Sequence, residues 1–339
     1  MKLCKGFLAV LFVAAVMIMQ PLEGSAAPKR MKVAHMTNEA YHMARAANHF
    51  RDALNATGKF KVEVYPSAVF GPDLEAIETT KAGDIDMTIS PSSYFTDEVP
   101  SIAWVEVPYV FASRQEAINT LETPWGQKQL TLLNKSGLHG VGYLENGWRH
   151  TTNSKRPIHK PEDLKGLKMR TMPNPIHTFY YNSIGCSAEG SPFSELYTNL
   201  ATKVFDGEEN GIAHIYTSKF NEVQRYMTLT GHVYTTYFMA MNLDYWKSLT
   251  KEEQDLISKA ARNAYDYQLD LIAKEDEAAL VEMQNDKNHP FEVLTLTPEE
   301  HKAFMDSAKP THEKFRKDLG AAEYEAFQQA IRDSANFKK

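Results

Sequence analysis

Three short stretches of this chain carry side chains suited to holding an anion. Arg170 lies in GLKMRTMPNP (166–175), with no further charge after it in that run. Arg149 closes NGWR (146–149), and Asn210 closes DGEEN (206–210). A guanidinium is a rigid planar fork that grips a carboxylate through two parallel hydrogen bonds. An asparagine amide both donates and accepts. An aromatic ring such as Phe193 in SPFSE, or the nearby Phe179, covers a ligand's apolar side. A charge aimed into a domain without a partner costs several kcal/mol. Each arginine therefore needs a protein carboxylate (Glu145 for Arg149, Glu195 or Glu209 for Arg170) or an anion from outside.

Other chemistry is poorly represented. There is no GxSxG, HExxH, CxxC, phosphate loop or GxGxxG. The 12 histidines are scattered singly, and Cys186 in SIGCSAEG has no neighbouring base. Asp84 and Asp86 stand close in sequence near a strand but are not read as an acid/base pair. DGEEN lacks the oxygen spacing of a calcium loop. These patterns predict no catalytic residue, no metal and no cofactor.

The elements that must position the anion-binding groups read as α/β. KRMKVAHM (29–36) is a strand, 38–57 an amphipathic helix ended by Gly58, and Phe60, Val62 and Val64 a second strand. A helix closing near Gly83 leads to a third strand through Ile85, Met87 and Ile89. This β-α-β-α-β order implies a parallel sheet flanked by helices. Ligands sit beyond the carboxyl ends of such strands, which makes Met36, Asn38 and Ser92 candidates. Val141–Leu144 is a strand, with Arg149 expected just past its end and a second α/β unit from about His150. Val204–Gly207 reads as a strand and tight turn before Asn210, and HVYTTYFMAM (232–241) as a β stretch crossing back to the first unit. Thr250 and Glu253 form a capping box opening a helix to about Asn285 without Pro or Gly, roughly 50 Å long. Thr297–Glu300 repeats the signal, with Pro298 at the first helical position.

The chain of 339 residues is long enough for two domains, and its net charge of −6 gives no general affinity for nucleic acid or anionic membranes. Lys2 and Lys5, the apolar run Gly6–Met19 and the small residues Gly24–Ala27 have the anatomy of a cleaved secretory leader. The run is too short for a spanning helix of roughly 20 residues. Cleavage is expected after Ala26, leaving Cys186 as the sole thiol and no intrachain disulfide.

PEDLKGLKMRTMPNP, SPFSELYTNLATKVFDGEENG and SKFNEVQRYMTLTGH resemble the core of the solute-binding proteins of tripartite ATP-independent periplasmic (TRAP) transporters, the DctP family. YPSAVFGPDLEAIETTKAGDIDM and WVEVPYVF extend the likeness over nearly the whole mature chain. The resemblance implies a two-lobed periplasmic-binding-protein clamshell, with parallel or mixed sheets flanked by helices and a long helix spanning both lobes. Residues 1–26 are then the leader, 27–148 with 236–275 lobe I, and 149–235 with 276–339 lobe II. It implies capture of an organic acid in the interlobe cleft by a periplasmic monomer, with delivery to TRAP permease membrane subunits. Arg170 would hold the carboxylate, and Arg149, Asn210 and Phe193 would complete the site.

Pro173 and Ser90-Pro91-Ser92 lack polar or acidic groups found in some acid-sugar binders, and Gly211 replaces a frequent proline. Met172, Tyr180, Tyr234 and Tyr237 allow an aromatic or otherwise hydrophobic carboxylate. The alternatives are an exported sensory binding protein and an exported enzyme using a cleft Asp or Glu as base.

Overall fold

The structure is a computed structural model describing residues 27–337. The expected leader, with Cys4, lies outside the described residues. The first unit runs β1 (Lys29–His35), α1 (His42–Asn55), β2 (Phe60–Tyr65), α2 (Asp73–Ala82) and β3 (Met87–Pro91). β1 pairs in parallel with β2 on one side and β3 on the other. Alternation explains β2, where Phe60 and Val62 point into the core and Lys61 outward. α2 stops at Gly83, whose φ of 86° suits the left-handed cap. Next come α3 (Arg114–Glu122), α4 (Pro124–Leu132) and β4 (Leu138–Asn153).

β4 corrects one expectation. The strand does not end before Asn146 but continues for 16 residues through Arg149. Its register against the long strand that follows shifts between Glu145 and Gly147. Such a β-bulge admits an extra residue without ending the ladder. Gly147, at φ 87°, takes the conformation that side chains resist there.

The second unit contains β5 (Lys168–Thr171), α5 (Pro175–Ser183), β6 (Ser187–Gly190), α6 (Leu196–Ala201), β7 (Gly207–Asn210) and α7 (Ile212–Thr217). Here the expected order of strand and turn around Asp206 is reversed: the turn comes first, and GEEN itself is the strand. β8 (Tyr226–Asn242) then returns across the molecule beside β4. The sheet order is β2-β1-β3-β8-β4-β7-β5-β6. The two parallel groups thus hang from opposite ends of a shared antiparallel ribbon. The expected lobe divisions after 148 and after 235 both fall inside this ribbon, where Gly147 faces Thr235 and Trp148 faces Tyr234.

α8 (Leu243–Ser248) leads to α9 (Lys251–Asn285), 35 residues opened by the Thr250–Glu253 capping box. Its buried stripe includes Ile257, Ala260, Ala261, Ala264, Gln268 and Ile272. The alanines let α1 lie close. Gln268 exchanges hydrogen bonds of 2.7 and 2.8 Å with the backbone of Glu145, at the bulge. Further along, Asp276 accepts from the Ala213 N–H at 3.0 Å, tying α9 to α7. β9 (Glu292–Leu294) pairs with β8. α10 (Pro298–Ser307) and α11 (Lys309–Leu319) pack beside the second unit, whereas α12 (Ala321–Ser334) returns to α3 and α4 of the first, burying Phe327 fully.

Burial raises the Asp276 carboxyl to about 7. An acid raised above its unfolded value of 3.8 carries a folding penalty that is absent at low pH, grows between about 4 and 7, and is complete above that. Asn at this position keeps the acceptor for Ala213. Asp276→Asn should therefore gain melting temperature relative to the parent as pH rises from about 5 to 8. A difference that is flat across that range would show that Asp276 does not titrate there.

Candidate functional site

A small, partly open cavity lies where the two units meet over the ribbon. Met36 and Thr37 enter it from the end of β1, Pro91 and Tyr94 from the end of β3, and Tyr237 from β8. From the other side come Arg170 and Met172 at the end of β5, Phe193 before α6, and Asn210 at the end of β7. The strand ends of both units thus converge on one space. Arg149 arrives from the middle of the ribbon, brought beside β7 by the pairing of His150 with Asn210 and Thr151 with Glu209.

The two arginines differ in one decisive respect. Arg149 is 1% exposed and held by Glu209: its Nε donates to the Glu209 carboxylate, and its Nη2 donates to Oε1 at 3.0 Å and to the Glu209 carbonyl. Burial opposes its charge, but Glu209 holds the guanidinium's pKa above its ordinary value. Glu209 is itself kept well below the carboxylate range despite burial, with Arg149 the main cause and His177 and His232 assisting. Arg170 is 0% exposed, and its Nε and Nη2 both donate to one neutral acceptor, the Ser191 carbonyl, at 2.8 and 2.6 Å. Its Nη1 has no partner, and among the described residues no carboxylate makes an ion pair with it. Burial accordingly lowers its pKa. The carboxylate pairing considered for both arginines thus holds for Arg149 alone. Its partner is Glu209 rather than Glu145, whose carboxylate is taken by Arg114 at 2.6 and 2.7 Å.

The remaining acids near the arginines are mostly committed. Alternation along β7 puts Glu208 and Asn210 on one face and Glu209 on the other. Asn210 Nδ2 donates to Glu208 Oε2 at 2.6 Å, and the Thr152 hydroxyl donates to Glu208 Oε1 at 2.7 Å; burial pushes Glu208 up to about 7. Glu106 is met by Ser92 Oγ at 2.5 Å and His177 Nε2 at 3.0 Å. Burial lowers the His177 pKa less than Glu106 and Glu209 raise it, so it stands above the ordinary histidine value.

Of the nine candidate residues, the structure gathers Arg170, Arg149, Asn210, Phe193, Met36 and Tyr237 around the cavity. It places three elsewhere. Ser92 is fully buried behind the wall, on Glu106 and the Thr236 carbonyl. Tyr234 packs edge-on against Trp148, centroids 5.6 Å apart. Asn38 lies at the mouth, where its Oδ1 accepts from Ala40 and its Nδ2 donates to the Thr217 carbonyl across the cleft at 3.0 Å. Met172 lines the cavity, whereas Tyr180 packs in the second unit's core. Cys186 is remote, and burial pushes its thiol up to about 12, leaving no thiolate for nucleophilic chemistry.

Sequence reasoning missed Asp73, Asn146 and His214. Asp73 opens α2 and lines the cavity with Oδ1 unpartnered, its carboxyl pushed up to about 7 by burial. Asn146 sits at the bulge and accepts from Tyr41 Oη at 2.7 Å. The bulge has no signal beyond Gly147, but Asp73 sits at a helix start beside a strand end, a position the topology marks.

Two units on a shared ribbon, closing over a cavity with an unneutralised guanidinium, define a ligand-capture protein of the two-lobed binding class. The chain belongs to the bacterial extracellular solute-binding protein family 7, the family it matches over residues 33–318. It is 31% identical over 298 residues to the 2,3-diketo-L-gulonate-binding periplasmic protein YiaO of Escherichia coli K12, covering 87% of this chain and 89% of that protein. It is similar to the sugar acid binding protein DctPAm of Advenella mimigardefordensis in complex with galactonate (TM-score 0.86, 29% identity, 91% of this chain and 99% of that one). A TRAP periplasmic solute-binding protein of Shewanella oneidensis with bound succinate gives a TM-score of 0.85 at 26% identity, covering 90% and 100%. Family membership makes the chain a transport binding protein, not an enzyme. Among the described residues no helix is long and apolar enough to cross a membrane.

The unequal pairing predicts unequal variants. Glu209→Gln strips a buried guanidinium of its counter-charge and should cost about 3 kcal/mol or more, read as a drop in urea midpoint. Arg170→Met removes a buried charge that lacks one and should leave the unliganded protein within about 1 kcal/mol of the parent, or more stable. Equal losses in the two variants would contradict the pairing described.

Proposed function

We propose that this chain captures an organic acid as a monomer in the cavity between its lobes and delivers it to TRAP permease membrane subunits. One observation carries the reading: Arg170 is completely buried at the cavity, with Nη1 unpartnered and, among the described residues, no carboxylate in ion-pair contact. A ligand carboxylate supplies what the fold withholds, with Nη1 of Arg149 and the Asn210 amide beside it. Galactonate, 2,3-diketo-L-gulonate and succinate, named with the similar proteins, are all carboxylates, which supports the same chemistry here.

Excluding water as the lobes meet strengthens the ion pair. It also ties occupancy to shape, because the ligand touches both lobes. Residues 27–148 with 236–275 make lobe I in this reading, and 149–235 with 276–339 make lobe II, α12 excepted, since it packs on lobe I. The leader directs the chain to the periplasm and is cleaved.

Thermal-shift screening of the mature chain against organic acids identifies binders, since a ligand of the native state alone raises the melting temperature. For any binder, Arg170→Met should weaken affinity by about 3 kcal/mol or more in calorimetry. A loss under about tenfold, roughly 1.4 kcal/mol, would remove Arg170 from the role of carboxylate anchor.

A further inference from the structure

His214 stands on α7, four residues beyond Asn210, and lines the cavity at 5% exposure. Tyr41 stacks on it at 4.4 Å and 18°, and Phe193 at 4.4 Å and 25°. Two rings at that distance cannot share one face of an imidazole without overlapping, so they cover both. Only the ring's edge is left for bonding. At that edge neither Nδ1 nor Nε2 has a hydrogen-bond partner. Tyr41 is fixed in turn by its hydroxyl's bond to Asn146, so the sandwich is a built feature.

We propose that His214 is a specificity-determining residue that reads a hydroxyl group on the ligand's carbon chain, so that the carboxylate held at Arg170 belongs to a hydroxy acid rather than to a dicarboxylate or an aromatic acid. The inference rests on the carboxylate reading above and narrows it. Burial, then the charges of Arg149, His42 and Arg170, drives the His214 pKa well below its ordinary value, so the imidazole is neutral. A neutral imidazole offers one N–H and one bare lone pair.

A ligand's second carboxylate only accepts and leaves the lone pair unmet. An aromatic ring meets neither nitrogen, and each buried polar atom left unsatisfied costs about 1–3 kcal/mol. A hydroxyl can meet either nitrogen, donating to the lone pair or accepting from the N–H, and neighbouring hydroxyls on one chain can meet both. Asp73 Oδ1, unpartnered in the same cavity, is a second acceptor for such a group. Phe193 thereby acts as the wall that holds His214 flat, and the aromatic or hydrophobic ligand allowed by the sequence gives way to a polar one.

Calorimetry on the mature chain tests this with matched acids: D-erythronate against butanoate, D-galactonate against hexanoate, and succinate and phenylacetate as competitors. In at least one pair the hydroxylated acid should bind about tenfold tighter or more. His214→Phe keeps the stack and removes both nitrogens. It should shrink that gap about tenfold, chiefly by tightening the deoxy acid, which no longer leaves two nitrogens unmet. His214→Gln retains a donor and an acceptor and should keep more of the gap.

An undiminished gap in His214→Phe overturns the proposal. So does a parent protein that prefers succinate or phenylacetate to every hydroxy acid, a result that needs no variant to fold and leaves the carboxylate reading standing. A protein that binds none of the acids overturns both.

Discussion

Two buried guanidiniums share one neighbourhood, and the fold neutralises only one of them. Glu209 is spent on Arg149, His177 and His232, Glu208 on Thr152 and Asn210, and Glu106 on Ser92 and His177. Arg170 is left with a carbonyl. That asymmetry is a product of strand pleating. GEEN alternates, so Glu209 reaches Arg149 while its neighbours face away, and β4 lies beside β7 in a register that permits the contact. A buried ion pair is a weak source of stability but a strict one, since breaking it leaves an orphan charge. The scaffold accordingly holds Arg149 as a fixed part and leaves Arg170's demand for an anion open.

Much of this was legible in the chain. Hydrophobic spacing revealed α1 and β2, and the reciprocal Thr250–Glu253 signal located the start of α9 to the residue. The resemblance carried by GLKMRTM and DGEEN led to Arg170 and Asn210, which the structure sets on one cavity wall. What stayed hidden depends on register. Nothing in NGWR says that β4 bulges and continues, so Arg149 read as a residue past a strand's end. Nothing local separates Glu145 from Glu209 as its partner, because that choice is made by which strands lie side by side. Tyr234 and Tyr237 are three apart on a strand and therefore point to opposite faces; one lines the cavity and the other joins the core. His214 carries no signal at all, since a lone histidine on a short helix gains meaning only from the rings that enclose it.

Polar contacts between the lobes occur both in the interior and at the mouth. Buried ones pair Glu106 with His177 and the Ser93 carbonyl with the Asn174 amide at 3.1 Å. At the mouth, Asn38 reaches the Thr217 carbonyl. These are polar, but the Tyr41–His214 stack and the packing of Met172 and Ile176 in one cluster with Tyr94 and Phe95 add apolar contact between the lobes. Water can replace the polar contacts when the lobes part, whereas the apolar ones favour the lobes meeting.

The ribbon of β4 and β8 has a mechanical meaning. Both strands cross from one lobe to the other, and they are hydrogen-bonded to each other on the way. The lobes are consequently not two bodies on a loose string but the two ends of one bent plate. Three register shifts interrupt its ladder, one of them at Gly147, and α9 lies along it as a brace. A continuous ladder of this kind couples its two ends, so a change in the angle between the lobes is felt along the whole sheet.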